Sequence, residues 1–267
     1  PGKLEGSKDL YDAVESVGME LCPNWNITIP VGKDSLSMST EWIKDGTAKS
    51  TISPLSLVAT GFSPVKDISL AITPELKNED STLIFIDLAK GNKRMGGSIL
   101  AQTYNINEGL CPDVECIEEM PFFVKAMHSL LSSRKILAYH DRSDGGLITT
   151  LAEMSFAGRL GLSVNLDPIL KDDGELKELL LNEELGVVIQ VLDEEKEKVL
   201  DVLNNSGLQG HIYDIGSVSE KKQIDLIYKD RQLLTLSIED MLKNWHKVGY
   251  EIQTLRDNPE TAKLEYA

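Results

Sequence analysis

The chain has little positive charge and few cysteines. Its 27 lysines and arginines are outnumbered by 43 aspartates and glutamates, which gives a formal net charge of −16. A field of that sign repels nucleic acid and anionic membranes, so we expect neither as a partner. Three cysteines, an odd number, argue against a disulfide framework and favour a reducing compartment, the cytoplasm.

Long apolar runs and an initiator methionine are also missing. No stretch of 18 apolar residues is long enough to predict a membrane-spanning helix, and we find no signal peptide. The chain opens on Pro1 and Gly2, so we expect either a segment of a longer protein or a processed or engineered start. What is present is an ordinary globular composition, 41% hydrophobic and 26% charged, over 267 residues.

The most informative stretch is the octapeptide HDRSDGGL, from His140 to Leu147. It lies between a short apolar run at 136–139 and an amphipathic run, where a predicted strand ends and a helix begins. Unpaired amides at a helix start attract phosphate, and carboxylates suit the Mg²⁺ that accompanies nucleotide phosphates. Gly145 and Gly146 permit close backbone approach or positive φ. An Asp or Ser cap on an ordinary helix is the open alternative.

A second polar loop runs from Gly32 to Ser35, between predicted strands. Gly32 lets the backbone approach a ligand, and Lys33 supplies a positive charge. Asp34 offers a metal ligand, and Ser35 offers a hydroxyl to a phosphate oxygen. The spacing of a Walker loop is absent and no helix follows, so an ordinary polar hairpin remains the alternative.

A third loop, GNKRMGGS at 91–98, gathers two cations and three glycines before a predicted helix. Gly96, Gly97 and Ser98 therefore form a candidate anion site at a helix start. A solvated turn with a serine cap explains the same residues, and both interpretations stay open.

Periodicity predicts a mixed α+β fold in which the pattern changes near residue 80. The predicted strands are 27–31, 36–42, 55–62, 83–87, 136–139, 162–166, 186–192, 211–218, 224–228 and 233–236, with a turn at Asp45–Gly46. The predicted helices cover 10–17, 122–131, 175–181 and 194–204, and others begin near 98, 146 and 238. We assign a mostly β module to 1–79, an α/β domain to 80–237, and a terminal helix and linker to 238–267.

The order of these motifs resembles part of the large, single-chain phosphoribosylformylglycinamidine synthases. These enzymes, also called formylglycinamide ribonucleotide (FGAR) amidotransferases, belong to purine biosynthesis. The matching stretches cover essentially the whole chain in family order: 10–14, 29–38, 53–57, 90–98, 138–147, 151–154, 182–186 and 255–259.

The resemblance implies an aminoimidazole ribonucleotide synthetase-like fold. The chain is similar to the second of two pseudo-symmetric synthetase halves. It has a partial N-terminal module, which builds a barrel and binds ATP in the family, and a C-terminal α/β sandwich domain. The remaining half and a glutaminase domain would be its partners. We expect an exposed apolar edge or face and self-association, because half of the barrel is absent.

The implied activity is that of an ATP-dependent C–N ligase with glutamine as the amido-nitrogen donor. In the family, ATP activates the formyl amide oxygen of FGAR as an iminophosphate. Ammonia released from glutamine then displaces phosphate to give the amidine. We expect the fragment to be inactive alone. ATP or ADP and Mg²⁺ are the implied cofactors.

The resemblance also implies roles for single residues. Gly32, Lys33 and Ser143 would contact nucleotide, and Ser35 would contact the phosphate end of the ribonucleotide or nucleotide. Asp141 would bind Mg²⁺. Relatives can carry a metal-contacting asparagine at position 33, so the lysine here argues against direct ligation at that position. The chemistry of the three loops, rather than the resemblance, adds Asp34, Gly96, Gly97, Ser98 and Asp144 as further candidate phosphate or loop contacts.

Two functions remain open at this stage. In the family one nucleotide reacts and another is a permanently bound structural ADP, and Asp141 and Ser143 match the structural site. The chain is therefore either a catalytic component or a non-catalytic nucleotide-binding module that stabilises the other half. A small-molecule kinase of the same superfamily is a weaker alternative, because the Lys-Asp-Ser loop and the Leu255–Pro259 tail favour the amidotransferase.

Overall fold

The computed structural model describes residues 7–33 and 38–266. The chain divides into two compact units. The first extends to Lys66 and includes Cys116–Pro121, and the second holds Asp67–Glu115 and the chain from Phe122 onward. This division lies before the change of pattern near residue 80, because Leu76, only 2% exposed, belongs to the core of the second unit. The assigned domain boundaries stay a prediction.

The first unit contains a helical segment and a hairpin. Helix α1 (Ser7–Glu15) continues through a π-helical stretch into α2 (Cys22–Trp25), which confirms the helix predicted at 10–17. Strands β1 (Ser39–Lys44) and β2 (Thr47–Ile52) pair antiparallel. Asp45 and Gly46 both have positive φ, so the predicted turn is confirmed.

The strands predicted at 27–31 and 55–62 are wrong. The residues there adopt no strand pairing, and Val58 and Phe62 are 86% and 95% exposed. A β-branched, apolar run becomes a strand only where a ladder partner accepts its backbone hydrogen bonds. Of the strand predicted at 36–42, residues 36 and 37 lie outside the described part of the chain, and β1 begins at Ser39.

The second unit is built on a seven-stranded mixed sheet with the order β4-β6-β3-β7-β5-β8-β9. Its strands are β3 (Ser81–Asp87), β4 (Ala138–Asp141), β5 (Gly161–Asn165), β6 (Gly186–Leu192), β7 (Ile212–Ser219), β8 (Gln223–Tyr228) and β9 (Arg231–Ser237). Strands β5 and β8 pair parallel, and the other neighbours pair antiparallel. Every strand predicted beyond residue 80 is confirmed, with ends shifted by a few residues.

Helices complete the chain and confirm the mixed α+β class. They are α3 (Ile99–Thr103), α4 (Met120–Ser132), α5 (Gly146–Gly158), α6 (Leu176–Leu181), α7 (Lys196–Leu203), α8 (Ile238–Arg256) and α9 (Pro259–Tyr266), of which α9 was not predicted. Leu83 and Phe85 on β3 share one core with side chains of α5 and α6. Ile84 and Ile86 point to the opposite face and are also buried, so β3 is covered on both sides.

The sheet topology collects loops at one edge. Strands β4 and β3 both pair antiparallel with β6, and β3 and β5 both pair antiparallel with β7. Strands β3, β4 and β5 therefore run in the same direction, and their carboxyl ends at Asp87, Asp141 and Asn165 lie at the same edge. Ligands of α/β folds commonly bind outside such carboxyl ends.

Among residues 7–33 and 38–266, no helix combines the length and apolar character needed to cross a bilayer.

Candidate functional site

Three polar side chains of the octapeptide lie at the surface. Asp141 ends β4, and Asp141, Ser143 and Asp144 are all exposed. Helix α5 begins after Gly145, which has φ 80° and makes no side-chain cap. The alternative of an Asp or Ser cap is therefore wrong, because a left-handed glycine occupies the capping position. The oxygen atoms of three polar side chains remain at the carboxyl end of an edge strand.

Two hydrogen bonds fix the position of Asp141. The Tyr139 hydroxyl donates to Asp141 Oδ1 at 2.6 Å, and the Thr150 hydroxyl donates to the Asp141 main-chain oxygen at 3.0 Å. Burial, and then the nearby carboxylate, raises the pKa of Tyr139 well above its usual range. Tyr139 thus remains a hydrogen-bond donor, and the carboxylate is held in one orientation.

Arg142, the remaining charged residue of the octapeptide, points into the protein. Its side chain is 1% exposed, and Nη2 lies 2.8 Å from Asp87 Oδ1 while Nε donates to the Glu184 carbonyl at 2.6 Å. Burial lowers the pKa of Arg142, and Asp87 opposes that shift. Asp87 also accepts the Gly91 amide at 2.7 Å. The ion pair therefore ties the octapeptide to the loop that follows β3.

Two carboxylates that were not predicted as site residues, those of Glu183 and Glu184, connect the loops at the carboxyl ends of β3 and β4. Glu183 Oε1 accepts the amides of Gly145 and Ile99, each at 2.8 Å, and so links the starts of α5 and α3. Glu184 is fully buried and accepts Arg94 N, Nε and Nη2 at 3.0, 2.6 and 2.8 Å. Adjacent glutamates directly before a buried strand were the available signal, since buried carboxylates require partners.

The loop at 91–98 uses most of its polar groups internally. Ser98 caps α3, with Oγ accepting the Ala101 amide at 3.2 Å, which confirms the serine-cap alternative. The Gly96 amide donates to the Leu110 carbonyl at 2.8 Å. Gly97 has φ 72°, a conformation that favours glycine. Phosphate contacts by Gly96, Gly97 and Ser98 stay a prediction.

The other predicted loop belongs to the first unit. Gly32 and Lys33 are exposed, and no atom lies within 4 Å of a Cβ built on Gly32. Asp34 and Ser35 lie outside the described residues. The structure therefore brings the octapeptide and the glycine loop together through Glu183 and Asp87, while the nucleotide and substrate roles of residues 32–35 stay predictions.

The octapeptide suits a metal ion that is coordinated partly by the protein and partly by a bound ligand. Within the described ranges, no group of three or more His, Cys, Asp or Glu side chains forms a complete cage for a metal ion. Mg²⁺ is usually held by one or two carboxylates, waters and phosphate oxygens. Asp141 and Asp144, both exposed, are of the right chemistry for that mode.

Comparisons with known proteins agree with this architecture. Residues 2–64 match the model of the FGAR-AT PurM_N-like domain, and residues 82–229 match that of the AIR synthase related protein, C-terminal domain. A phosphoribosylformylglycinamidine synthase of Schizosaccharomyces pombe is 45% identical over 98% of this chain. The chain spans only 20% of the length of that relative.

Solved structures show the same fold. T. maritima PurL complexed with FGAR aligns with a TM-score of 0.55 at 15% identity, over 65% of this chain and 29% of that one. T. maritima PurL complexed with ATP aligns with a TM-score of 0.50 at 13% identity, over 72% and 28%. Since residues 82–229 make up more than half of its length, the chain belongs to the family of AIR synthase related proteins, whose C-terminal domain it contains.

Proposed function

We propose that this chain is part of the synthetase region of a phosphoribosylformylglycinamidine synthase and forms one wall of its nucleotide and substrate clefts. The observation that carries the proposal is the exposure of Asp141, Ser143 and Asp144 at the carboxyl end of β4, where none of them caps α5. The identity of 45% to a synthase of that name supports the assignment. The T. maritima relatives were solved with ATP and with FGAR.

The reaction requires two anionic ligands to be held in line while their charge is offset. Asp141 would hold Mg²⁺, which neutralises phosphate charge when bound. The Ser143 hydroxyl would donate to a phosphate oxygen, and Asp144 would add a second carboxylate near the metal. From the first unit, Gly32 and Lys33 would meet nucleotide phosphates, and Ser35 would meet the phosphate end of the ribonucleotide.

The proposal also specifies what the chain needs from elsewhere. ATP supplies the phosphoryl group, glutamine supplies ammonia, and the other synthetase half and a glutaminase domain complete the cytoplasmic enzyme. The fragment should therefore produce no amidine alone.

The catalytic role is tested in the intact enzyme that contains this chain. Lys33→Ala and Ser35→Ala should each lower the steady-state rate of amidine formation at least tenfold and leave the melting temperature unchanged. Lys49→Ala, which removes an exposed lysine from β2 of the same unit, should retain the wild-type rate. Wild-type turnover in both loop variants would contradict the proposal.

The second candidate is a nucleotide-binding structural module. It is favoured by the fixed position of Asp141, whose carboxylate accepts the Tyr139 hydroxyl at 2.6 Å and whose main-chain oxygen accepts the Thr150 hydroxyl at 3.0 Å, as a permanently held Mg²⁺–nucleotide requires. Asp141→Asn should then lower bound ADP and the melting temperature together, while Asp201→Asn on α7 changes neither. Ligand held at a thousandfold excess over Kd stabilises by roughly 4 kcal/mol.

Measurements on the Asp141→Asn variant distinguish the two candidate functions. Loss of ADP and of thermal stability with retained turnover identifies a structural nucleotide, and loss of turnover at unchanged ADP content identifies a catalytic one. Wild-type behaviour in all three measurements would exclude both roles for Asp141.

A further inference from the structure

The side chain of Glu183 bonds to the backbone at the starts of two helices. One carboxylate oxygen, Oε1, accepts the Gly145 amide at the start of α5 and the Ile99 amide at the start of α3, each at 2.8 Å. Amides at the start of a helix have no acceptor within the helix, so a side chain from elsewhere can satisfy them. Glu183 therefore acts directly on the backbone of the octapeptide.

The Gly145 amide belongs to a tight turn. The Ser143 carbonyl accepts the Gly146 amide at 2.9 Å, and Gly145 has φ 80° and ψ 0°. These angles are those of the third residue of a type II turn, in which Asp144 is the second residue. The central peptide of the turn joins Asp144 to Gly145, and Glu183 accepts the N–H of that peptide.

The orientation of the central peptide distinguishes a type II turn from a type I turn. Glycine permits both forms, because it adopts positive and negative φ about equally well. In the turned-over form the Asp144 carbonyl would face the Glu183 carboxylate, and two acceptors repel each other. Glu183 therefore favours one form of the turn. Without this acceptor, Ser143 and Asp144 would no longer be held in a single arrangement.

The backbone on both sides of Glu183 is fixed by buried neighbours. Asn182 and Glu184 are both fully buried. Asn182 Nδ2 donates to the Glu178 carbonyl at 2.6 Å, and Glu184 Oε1 accepts Arg94 Nε at the same distance. Since the backbone at Glu183 has little freedom to move, the length of its side chain decides whether the carboxylate reaches both amides.

From these contacts we propose that Glu183 is a positioning residue of the nucleotide site. It selects one conformation of the turn at 143–146 and so presents Ser143 and Asp144 to the ligand. Hydrogen-bond geometry carries this role rather than charge, because a single oxygen serves both amides. The inference rests on the proposed function, since it requires the octapeptide to bind a Mg²⁺–nucleotide.

The test measures the Kd of ADP in the presence of Mg²⁺, by equilibrium dialysis of the intact enzyme stripped of nucleotide, at the site that Asp141→Asn weakens. Glu183→Gln keeps an Oε1 acceptor at the same reach and removes the charge, so its Kd should stay within threefold of the wild type. Glu183→Asp keeps the charge but is one methylene shorter. It should raise Kd at least tenfold, as should Glu183→Ala.

Asn258→Ala is the matched control. Asn258 Oδ1 accepts the amides of Glu260 and Thr261 at 3.0 and 3.1 Å, at the start of α9. The substitution removes two comparable hydrogen bonds from another helix start, so it should leave Kd unchanged even where it lowers the melting temperature. A Kd that follows the melting temperature through all the variants, Asn258→Ala included, would show a merely structural role and overturn the proposal.

The remaining outcomes separate the inference from the function on which it rests. Weaker ADP binding in Asp141→Asn with wild-type binding in Glu183→Asp would overturn the positioning role and leave the proposed function standing. Unchanged binding in Asp141→Asn would overturn the proposed function and the inference together. Weakening by Glu183→Gln as large as that by Glu183→Asp would show that charge is responsible, which also contradicts the proposal.

Discussion

Glu184 is the residue on which the loop arrangement depends most. Its carboxylate is fully buried and holds the Arg94 guanidinium and amide, and its carbonyl accepts Arg142 Nε at 2.6 Å. The hydrogen bonds to Glu184 raise the pKa of Arg94 above its usual range. Removing one member of a buried pair leaves the other as an uncompensated charge.

Glu184→Gln should therefore lower the free energy of unfolding by about 3 kcal/mol. Glu115 provides the matched control, because it also contacts Arg94, at 2.7 Å, but its side chain is 26% exposed. Glu115→Gln should cost less than about 1 kcal/mol. Urea denaturation measures both, and equal losses would contradict the assignment of Glu184 as the main partner.

The contribution of Asp225 to the free energy of unfolding depends on pH. Gln223 Nε2 and the Thr235 hydroxyl donate to its carboxylate at 2.8 Å, and these hydrogen bonds lower its pKa below 3.8. A carboxyl whose folded pKa is depressed stabilises above its unfolded pKa, and this contribution disappears as pH falls through the folded value. The wild-type protein should be more stable than Asp225→Asn by roughly 1 kcal/mol at neutral pH.

That difference should shrink in acid, at pH values below 3.8. Thermal melts of the two proteins across the acid range test it. A gap that stays constant from neutral pH into strong acid would show that the charge of Asp225 is not its cause.

The sequence predicts the exposed groups of the candidate site but not the buried groups that hold its loops. Asp141, Ser143 and Asp144 stand together at a strand-to-helix junction, which is visible in a single stretch of sequence. The pair of Arg94 and Glu184 joins positions 90 apart in the chain. Only the fold brings such groups together, and local periodicity carries no information about it.

At the scale of elements, the second unit follows its sequence pattern in every strand, whereas the first unit follows it only in the helix that begins at Ser7 and in the β1–β2 hairpin. Strand β3 is buried along its whole length and pairs with a strand on each side, as its apolar run predicts. The runs at 27–31 and 55–62 are equally apolar but gain no partner strand. Strand formation depends on pairing as well as on composition, so a local pattern predicts it less well than it predicts a helix.

The start of α5 should tolerate no side chain at Gly146. Its φ is 73°, and an added Cβ would lie 2.6 Å from the main-chain oxygens of Leu180 and Asn182. Gly146→Ala should destabilise the protein by at least about 2 kcal/mol, because backbone must move. Gly249, inside α8 with open space around it, is the control.

Gly249→Ala should stabilise the protein by about 0.5 to 1 kcal/mol, since alanine favours a helix interior. Chemical denaturation of both variants gives the comparison. Similar effects of the two substitutions would contradict the close packing described around Gly146.

At the scale of the whole molecule, the first unit exposes several large apolar side chains. Val31, Val58 and Phe62 are 78%, 86% and 95% exposed. Exposed apolar surface of this kind promotes association. The chain should therefore self-associate with rising concentration in sedimentation velocity experiments.

Phe62→Ser combined with Val58→Ser should reduce that association without lowering the melting temperature. Phe122→Ser, at a 55% exposed position on α4, should have little effect. A wild-type chain that sediments as a monomer at every concentration, or an unchanged association in the double variant, would contradict the role given to this surface.

The central claim is that the loop after β4 binds the phosphates of a magnesium nucleotide. The most direct test is a crystal structure of the intact enzyme with ADP and Mn²⁺ in place of Mg²⁺, using the anomalous signal of manganese. We predict an anomalous peak in contact with the Asp141 carboxylate, about 2.1 Å from one oxygen, with an ADP phosphate on the same ion and Ser143 at hydrogen-bond distance. Manganese and ADP bound elsewhere, with Asp141 contacting neither, would contradict the account.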